Sequence, residues 1–280
     1  MPINYLHSLF HRVEDGWDPI TNDYASSYTE LAWNERSPKL IEDLEIRLGG
    51  FAGKRVLDLG GGPGQYSVLF AQKGADVTWH DVSREYESIT RERAAAAGVT
   101  LRFSLGYLED TRHFQEQFDL LFCCVCWYYA RNDRAFSRLL NSLIKPAGVG
   151  YVECNTPAFS QPQGWRKLQY WLNSYLWFKV GHPMPPHGRI ARLLLRQRVN
   201  HMTLDYSSPL RDIVIFTKAL PQSALDHGWT TSKDHASSLS NPFRRHLSHD
   251  ELGDVVQDRR SPAPPQDQAA ARGDTGQPGR

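Results

Sequence analysis

The stretch Val56-Leu57-Asp58-Leu59-Gly60-Gly61-Gly62-Pro63-Gly64-Gln65 decides the fold. Val56, Leu57 and Leu59 make a short apolar strand. The glycines and Pro63 make a tight turn, and the amphipathic run from Tyr66 to Gln72 starts a helix. Glycine has no Cβ, so backbone in such a turn can come close to a ligand. Asp58 falls inside the strand. A buried carboxylate there costs free energy unless a cation or hydrogen-bond donor meets it.

Outward from this stretch, strand and helix patterns alternate. Strands are expected near 55–59, 76–80, 100–104, 118–126 and 148–154, and helices near 64–73, 84–97 and 133–144. Such alternation predicts an α/β fold, a doubly wound sheet covered on both faces. The apolar run from Leu120 to Cys126 suits a central strand. Residues 156–199 break the alternation. Trp165, Leu168, Leu172, Tyr175 and Leu176 follow helical spacing, and a basic helix is expected from Arg189 to Arg198. Met202 to Tyr206 and Ile213 to Thr217 alternate around Ser207-Ser208-Pro209, as an antiparallel closing pair would.

The glycine spacing separates two ligand classes. A dinucleotide fingerprint, G-x-G-x-x-G, would need a third glycine where Gln65 stands. A phosphate-binding P-loop would need a following Gly-Lys-Ser/Thr, which is missing. The observed spacing is G-x-G-x-G, through Gly60, Gly62 and Gly64. With Asp58 before it, this resembles motif I of class I S-adenosylmethionine-dependent methyltransferases. Val77-Thr78-Trp79-His80-Asp81 resembles the family's second strand ending in an acid, Phe118-Asp119-Leu120-Leu121-Phe122 its fourth strand, and Lys145-Pro146-Ala147-Gly148 its K-P-G-G turn. The resemblance is good over about residues 50–155 and weaker over 200–219.

The resemblance implies a Rossmann-like sheet, mostly parallel with an antiparallel last strand, and S-adenosyl-L-methionine as cofactor. The cofactor-binding residues it implies are Asp58, Gly60, Gly61, Gly62, Gly64 and Asp81, with Asp81 on the ribose. The family often has Gly-Asp-Ala after the third strand, its acid reaching the adenine. Here Tyr107 stands where that acid would be, and Leu108 with Glu109 are the substitutes expected. The acceptor site should lie beyond the carboxyl ends of the strands. Candidates there are Trp127, Tyr128, Tyr129 and Asn155, with the segment from Trp165 to Phe178 as a cover. Glu153, His182 and His187 are candidate catalytic groups; Glu153 is equally readable as a buried structural acid, and the histidines read first as exposed imidazoles on a rigid connector. No metal site is expected.

Three segments follow: a helical lid over residues 1–50, a methyltransferase domain over 51–220 with a helical insertion at 156–199, and a largely disordered extension over 221–280. The last is poor in apolar residues, so burial there cannot offset ordering entropy. With Lys and Arg totalling 32 against 31 acids, the charge balance does not suggest a nucleic-acid binder. No signal-peptide pattern or apolar transmembrane run is present, so a cytoplasmic protein is expected. Cys123, Cys124 and Cys126 look too close on one strand to pair, and with Cys154 are expected as buried thiols. The expected activity is methyl transfer to a small-molecule acceptor. A macromolecular or lipid-linked acceptor, and a non-catalytic cofactor-binding regulator, stay open.

Overall fold

The computed structural model describes residues 10–221. Seven strands form one sheet: β1 (Arg55–Leu59), β2 (Asp76–Asp81), β3 (Arg102–Leu105), β4 (Phe118–Cys124), β5 (Ile144–Asn155), β6 (Val199–Asp205) and β7 (Arg211–Lys218). Their order is β3-β2-β1-β4-β5-β7-β6. The first five strands pair in parallel, and β7 runs antiparallel to both β5 and β6. This is the expected Rossmann-like sheet. The strand order reverses between β1 and β4, which opens a crevice at their carboxyl ends.

The helices are α1 (Asn22–Asn34), α2 (Pro38–Leu48), α3 (Gln65–Gln72), α4 (Arg84–Ala96), α5 (Asp133–Leu143), α6 (Pro157–Ser160), α7 (Gly164–Leu176) and α8 (Arg189–Leu194). Local chemistry sets several starts. The Ser37, Ser83 and Asn132 side chains accept from the backbone N–H three residues on, and Pro38 opens α2. None of the helices among the described residues is long and apolar enough to cross a membrane.

Successive residues of β1 and β4 serve opposite faces of the sheet. Val56, Leu120 and Phe122 pack with Ile41, Leu44 and Phe70. Leu57, Leu59 and Leu121 pack with Phe136, Leu140, Ile190 and Leu194. Two covered faces explain why the β4 sequence is continuously apolar.

Three details differ from the expectation. β5 starts at Ile144, which pairs with Phe118 before the register shifts, so the Lys145–Gly148 turn is a bulge within the strand. The basic helix ends at Leu194, and its first residue, Arg189, is buried at 1% exposure. The insertion is helical as expected, but most large apolar side chains of α7 face solvent. Trp165 is 63% exposed, Tyr175 71% and Leu176 60%. The extension over 221–280, expected to be largely disordered, lies outside the described residues, Pro221 apart.

The Lys145–Gly148 turn is tied to the sheet edge by charge. Lys145 Nζ donates to Asp119 Oδ2 at 2.7 Å, and the Arg55 backbone N–H donates to the same oxygen at 2.9 Å. Burial would raise the Asp119 pKa, but these bonds and the Lys145 charge outweigh it and hold the carboxyl low. Ala147 takes φ +62° in this turn, a left-handed conformation that crowds a Cβ. Ala147→Gly is expected to raise stability by about 1 kcal/mol, read as a higher urea midpoint at unchanged m-value.

Candidate functional site

The glycine turn is pressed from its protein side. A Cβ on Gly60 would stand 2.5 Å from Cys126 Cβ, one on Gly61 would stand 2.4 Å from the Trp79 ring, and one on Gly64 would stand 2.3 Å from Thr90. Only at Gly62, with φ +50°, would a Cβ meet nothing within 4 Å. Sequence reasoning assigned all these glycines to ligand approach. The structure gives three of them a packing reason and leaves open space at Gly62.

Hydrogen bonds fix the turn. The N–H groups of Gly60 and Gly61 donate to His80 O at 2.8 and 3.1 Å. Gly62 O accepts from Trp79 Nε1 at 3.0 Å and Thr90 Oγ1 at 3.2 Å. Gly62 N donates to Asp81 Oδ2 at 3.0 Å, while Asp81 Oδ1 accepts from Ser83 N at 3.0 Å. Burial raises the Asp81 pKa against those backbone donors. A carboxylate has about four lone-pair positions, so Asp81 keeps acceptor capacity beyond these two bonds.

Asp58 lies beneath the turn at 2% exposure and accepts from Ser67 Oγ at 2.7 Å. Burial pushes its carboxyl up to about 7, opposed by the Ser67 hydrogen bond and reinforced by Asp81. Among the described residues no buried cation meets it. Hydroxyl capping by Ser67 is the solution here.

The N-terminal helices reach the turn. Trp33 Nε1 donates to Pro63 O at 3.0 Å, and Ser37 N donates to the Tyr66 hydroxyl at 3.4 Å. Tyr28 stacks beside Tyr24 at 5.9 Å. Burial pushes the Tyr28 phenol up, with Cys124, Tyr24, Tyr129 and Asp81 near enough to add to it. Asp18 was not visible as a site residue in the sequence. Its Oδ2 accepts from Ser83 Oγ and from the Arg84 and Glu85 N–H groups, capping α4 from a distant segment.

On the side toward β3, Leu108 approaches the Gly60 position at 3.9 Å. Glu109 does not face the turn as a free acid. Its Oε1 accepts from Arg131 N at 2.7 Å, and Oε2 lies 3.7 Å from Arg131 Nε. Tyr107 donates its hydroxyl to His11 O at 2.6 Å and stacks on Trp17.

At the end of β4 the chain turns through Val125, whose φ of +56° is unusual for a β-branched residue. The turn brings Cys126 Sγ to 3.0 Å from both Leu59 O and Cys123 Sγ. Cys123 and Cys126 meet without a disulfide, and all four cysteines are free thiols as expected, with Cys124 half-buried. Trp127 differs from the exposed aromatic edge that its position suggested. It is fully buried, donates Nε1 to Asp133 Oδ1 at 3.1 Å and packs edge-on against Phe136. It supports the wall rather than facing an acceptor. Tyr128 and Tyr129 pack at 4.4 Å, and Tyr129 meets the His182 ring at 5.1 Å.

Glu153 is engaged at both oxygens. Oε1 accepts from Arg211 at 2.9 Å, and Oε2 accepts from the Tyr151 hydroxyl at 2.6 Å. That arrangement corrects its reading as an available base. Asn155 ends β5 opposite Arg211 and is half-buried. His187 Nδ1 lies 2.5 Å from Asp212 Oδ1 and packs on Tyr206, away from the Tyr129 edge that holds His182.

A family model described as "Methyltransferase domain" matches residues 56–148, from β1 through the turn before the main run of β5. The match identifies this segment as a methyltransferase domain. The chain is 29% identical over 118 residues to the ubiquinone biosynthesis O-methyltransferase of Actinobacillus pleuropneumoniae serotype 7 (strain AP76), covering 40% of this chain and 50% of that protein. To the protein of the same name from Xanthomonas euvesicatoria pv. vesicatoria (strain 85-10) it is 33% identical over 125 residues, covering 44% and 52%. The chain spans about half the length of the curated relatives it matches. A solved methyltransferase structure from Clostridium acetobutylicum ATCC 824 superposes with a TM-score of 0.51 at 15% identity, over 71% of this chain and 99% of that one. This last likeness shows the fold.

Asp58 gives the methyltransferase domain a testable pH response. The unfolded chain releases the Asp58 proton near its ordinary value of about 3.9, whereas the folded domain holds it to about 7. Between these values the folded state binds more protons, so stability falls as pH rises through the window and levels off above it. Asp58→Asn removes that slope. Urea unfolding from pH 4.5 to 7.5 should show the variant gaining steadily on the wild type.

Proposed function

We propose that this chain transfers the methyl group of S-adenosyl-L-methionine to an oxygen of a small-molecule acceptor in the cytoplasm. The observation that carries the reading is the open space at Gly62 beside an Asp81 carboxylate with acceptor capacity to spare, at the reversal of strand order. That cradle fits a cofactor with two vicinal ribose hydroxyls and a flexible amino-acid arm. Gly60, Gly61, Gly62 and Gly64 shape the turn that holds it, Asp81 accepts from the ribose and Leu108 packs on the adenine. Asp58 acts through Ser67 to hold the turn. Helices α1 and α2 serve as its lid, through Tyr28 and Trp33.

The bound cofactor supplies a methyl group already activated by its sulfonium. The protein aligns the acceptor and excludes water, and alignment alone can lower a barrier by several kcal/mol, up to about 7–11. Tyr128, Tyr129 and Asn155 form the acceptor edge at the ends of β4 and β5. A phenolic oxygen is protonated at neutral pH, so its transfer gains from a general base. We assign that role to His182, which packs on Tyr129. The O-methyltransferase name of the relatives supports an oxygen acceptor.

The exposed face of α7 favours a lipid-linked acceptor as a second reading. Trp165, Trp171 and Tyr175 are of the type that settles at membrane interfaces, with Arg166 and Lys167 alongside. Sedimentation with anionic vesicles separates the two, since a freely soluble acceptor needs no vesicle binding.

Calorimetry should show S-adenosylhomocysteine binding and no NADH binding. Asp81→Ala should weaken S-adenosylhomocysteine binding by about 1–3 kcal/mol, the cost of removing a hydrogen-bonded charged partner. His182→Ala should lower turnover while leaving that affinity within a few fold. Tight NADH binding without a response to S-adenosylhomocysteine would overturn the assignment.

A further inference from the structure

A cavity of about 280 Å³ lies between the start of α5 and the chain leaving α7, with Arg131, Arg134, Asn173, Trp177, Phe178 and Lys179 among its lining residues. Its charge pattern is unbalanced. Asp133, Lys179 and Arg189 are 5%, 4% and 1% exposed. Lys179 Nζ donates to Asp133 Oδ1 at 3.0 Å, and Arg189 Nη1 lies 3.3 Å from Asp133 Oδ2. One buried carboxylate thus serves two buried cations, and one positive charge is left over.

Asp133 is the one carboxylate among the described residues that line the cavity; the buried Asp212 is engaged elsewhere, by Gly188 N and His187. Arg189 finds neutral acceptors on the last turn of α7: Asn173 Oδ1 at 2.9 Å, Asn173 O at 2.7 Å and Ser174 O at 2.8 Å. Lys179 has one described hydrogen bond, to the shared Asp133, although an ammonium carries three donors. Arg131 is paired with Glu109 at 3.7 Å, and Arg134 lies over Trp177 at 4.3 Å, so the rim adds positive charge. Burial lowers the Arg189 pKa against the attraction of Asp133, and Arg192 and Arg134 act with burial.

A second observation concerns a lining residue of the same cavity. Asn173 is 1% exposed, and its Nδ2 has no partner among the described residues. The amide orientation is set, because Oδ1 accepts from Arg189. Nδ2 is therefore an unpaired buried donor on a residue that lines the cavity, and such a donor costs about 1–3 kcal/mol. An oxyanion would satisfy both the donor and the surplus charge.

We infer that this cavity binds the carboxylate of an aromatic small molecule, through Lys179 Nζ and Asn173 Nδ2, with the body of the ligand against Trp177 and Phe178. A single surplus charge matches a monoanion better than a phosphate ester. Asp133, which lines the cavity, stands four residues beyond Tyr129, so their Cα atoms lie within about 14 Å of each other. The carboxylate therefore belongs to the methyl acceptor. That last step rests on the methyltransferase reading; the binding does not.

Thermal unfolding with benzoate, benzamide and phenyl phosphate tests the site. Benzoate is expected to raise the wild-type Tm in a concentration-dependent way, and neutral benzamide is not. Lys179→Met removes the surplus cation and leaves Asp133 paired with Arg189. Asn173→Asp supplies the missing carboxylate from within the protein. Both variants are expected to keep or raise the basal Tm and to lose the benzoate response. A purely structural ion network predicts the reverse, lower Tm in both variants and no benzoate response in the wild type. Should Lys179→Met fail to fold, Asn173→Asp decides: an undiminished benzoate response in it overturns the proposal. A larger shift with phenyl phosphate than with benzoate overturns the carboxylate assignment. Calorimetry with S-adenosylhomocysteine on the same samples separates the two readings. A benzoate response without S-adenosylhomocysteine binding keeps the anion site and removes the methyltransferase. S-adenosylhomocysteine binding without a benzoate response overturns the site alone.

Discussion

The Asp81 carboxylate fastens several separate pieces of chain. It ends β2, accepts from Gly62 in the glycine turn and from Ser83 at the start of α4. Ser83 in turn donates its hydroxyl to Asp18, which also caps α4. Strand, turn, helix and N-terminal segment are thus joined through two carboxylates. Burial works against the charge on Asp81, and backbone donors hold it in place. A charged acceptor in contact with N–H groups is worth more than a neutral one. The turn's geometry depends on that balance, and so does everything built on the turn.

The glycines show how packing and ligand binding share one segment. At Gly60, Gly61 and Gly64 the neighbours are Cys126, Trp79 and Thr90, and even one methyl group collides. At Gly62 the constraint is a left-handed backbone facing open space. Trp79 and Thr90 also hold the Gly62 carbonyl. The protein side of the turn is therefore filled and fixed, and the open side can receive a ligand without rearranging the sheet. Such preorganisation lowers the ordering cost of binding.

Much of this was legible in the sequence. Apolar runs and glycine punctuation located β1, the turn, β2 and β4, because those elements are defined by their own residues. The acid at Asp81 was visible because its distance from Gly60 is set by one strand-helix-strand unit. Polar pairing was not legible. Asp133 meets Lys179 and Arg189 across 46 and 56 residues, and nothing in local periodicity reports such a contact. Arg189 read only as the start of a basic helix for that reason. Glu109 looked free because Arg131 comes from another loop. Trp127 looked like a binding residue because the sequence does not show that Asp133 waits for its indole N–H.

Val125 connects the two parts of the proposed site. Its left-handed φ costs about 1–3 kcal/mol for a residue with a branched Cβ. The return is positional. The reversal takes the chain out of β4 so that Cys126 lies against Gly60 on one side and Trp127 reaches Asp133 on the other. Cys126 is 5% exposed and Trp127 is fully buried, so their burial and the hydrogen bonds they make offset the strain. A relaxed β conformation at Val125 would continue the strand and separate both contacts. The glycine turn would then lose the thiol that packs on Gly60, and the buried carboxylate between Lys179 and Arg189 would lose a donor. The same strained residue thus sets both the packing against the glycine turn and the indole donor to the carboxylate of the cationic cavity.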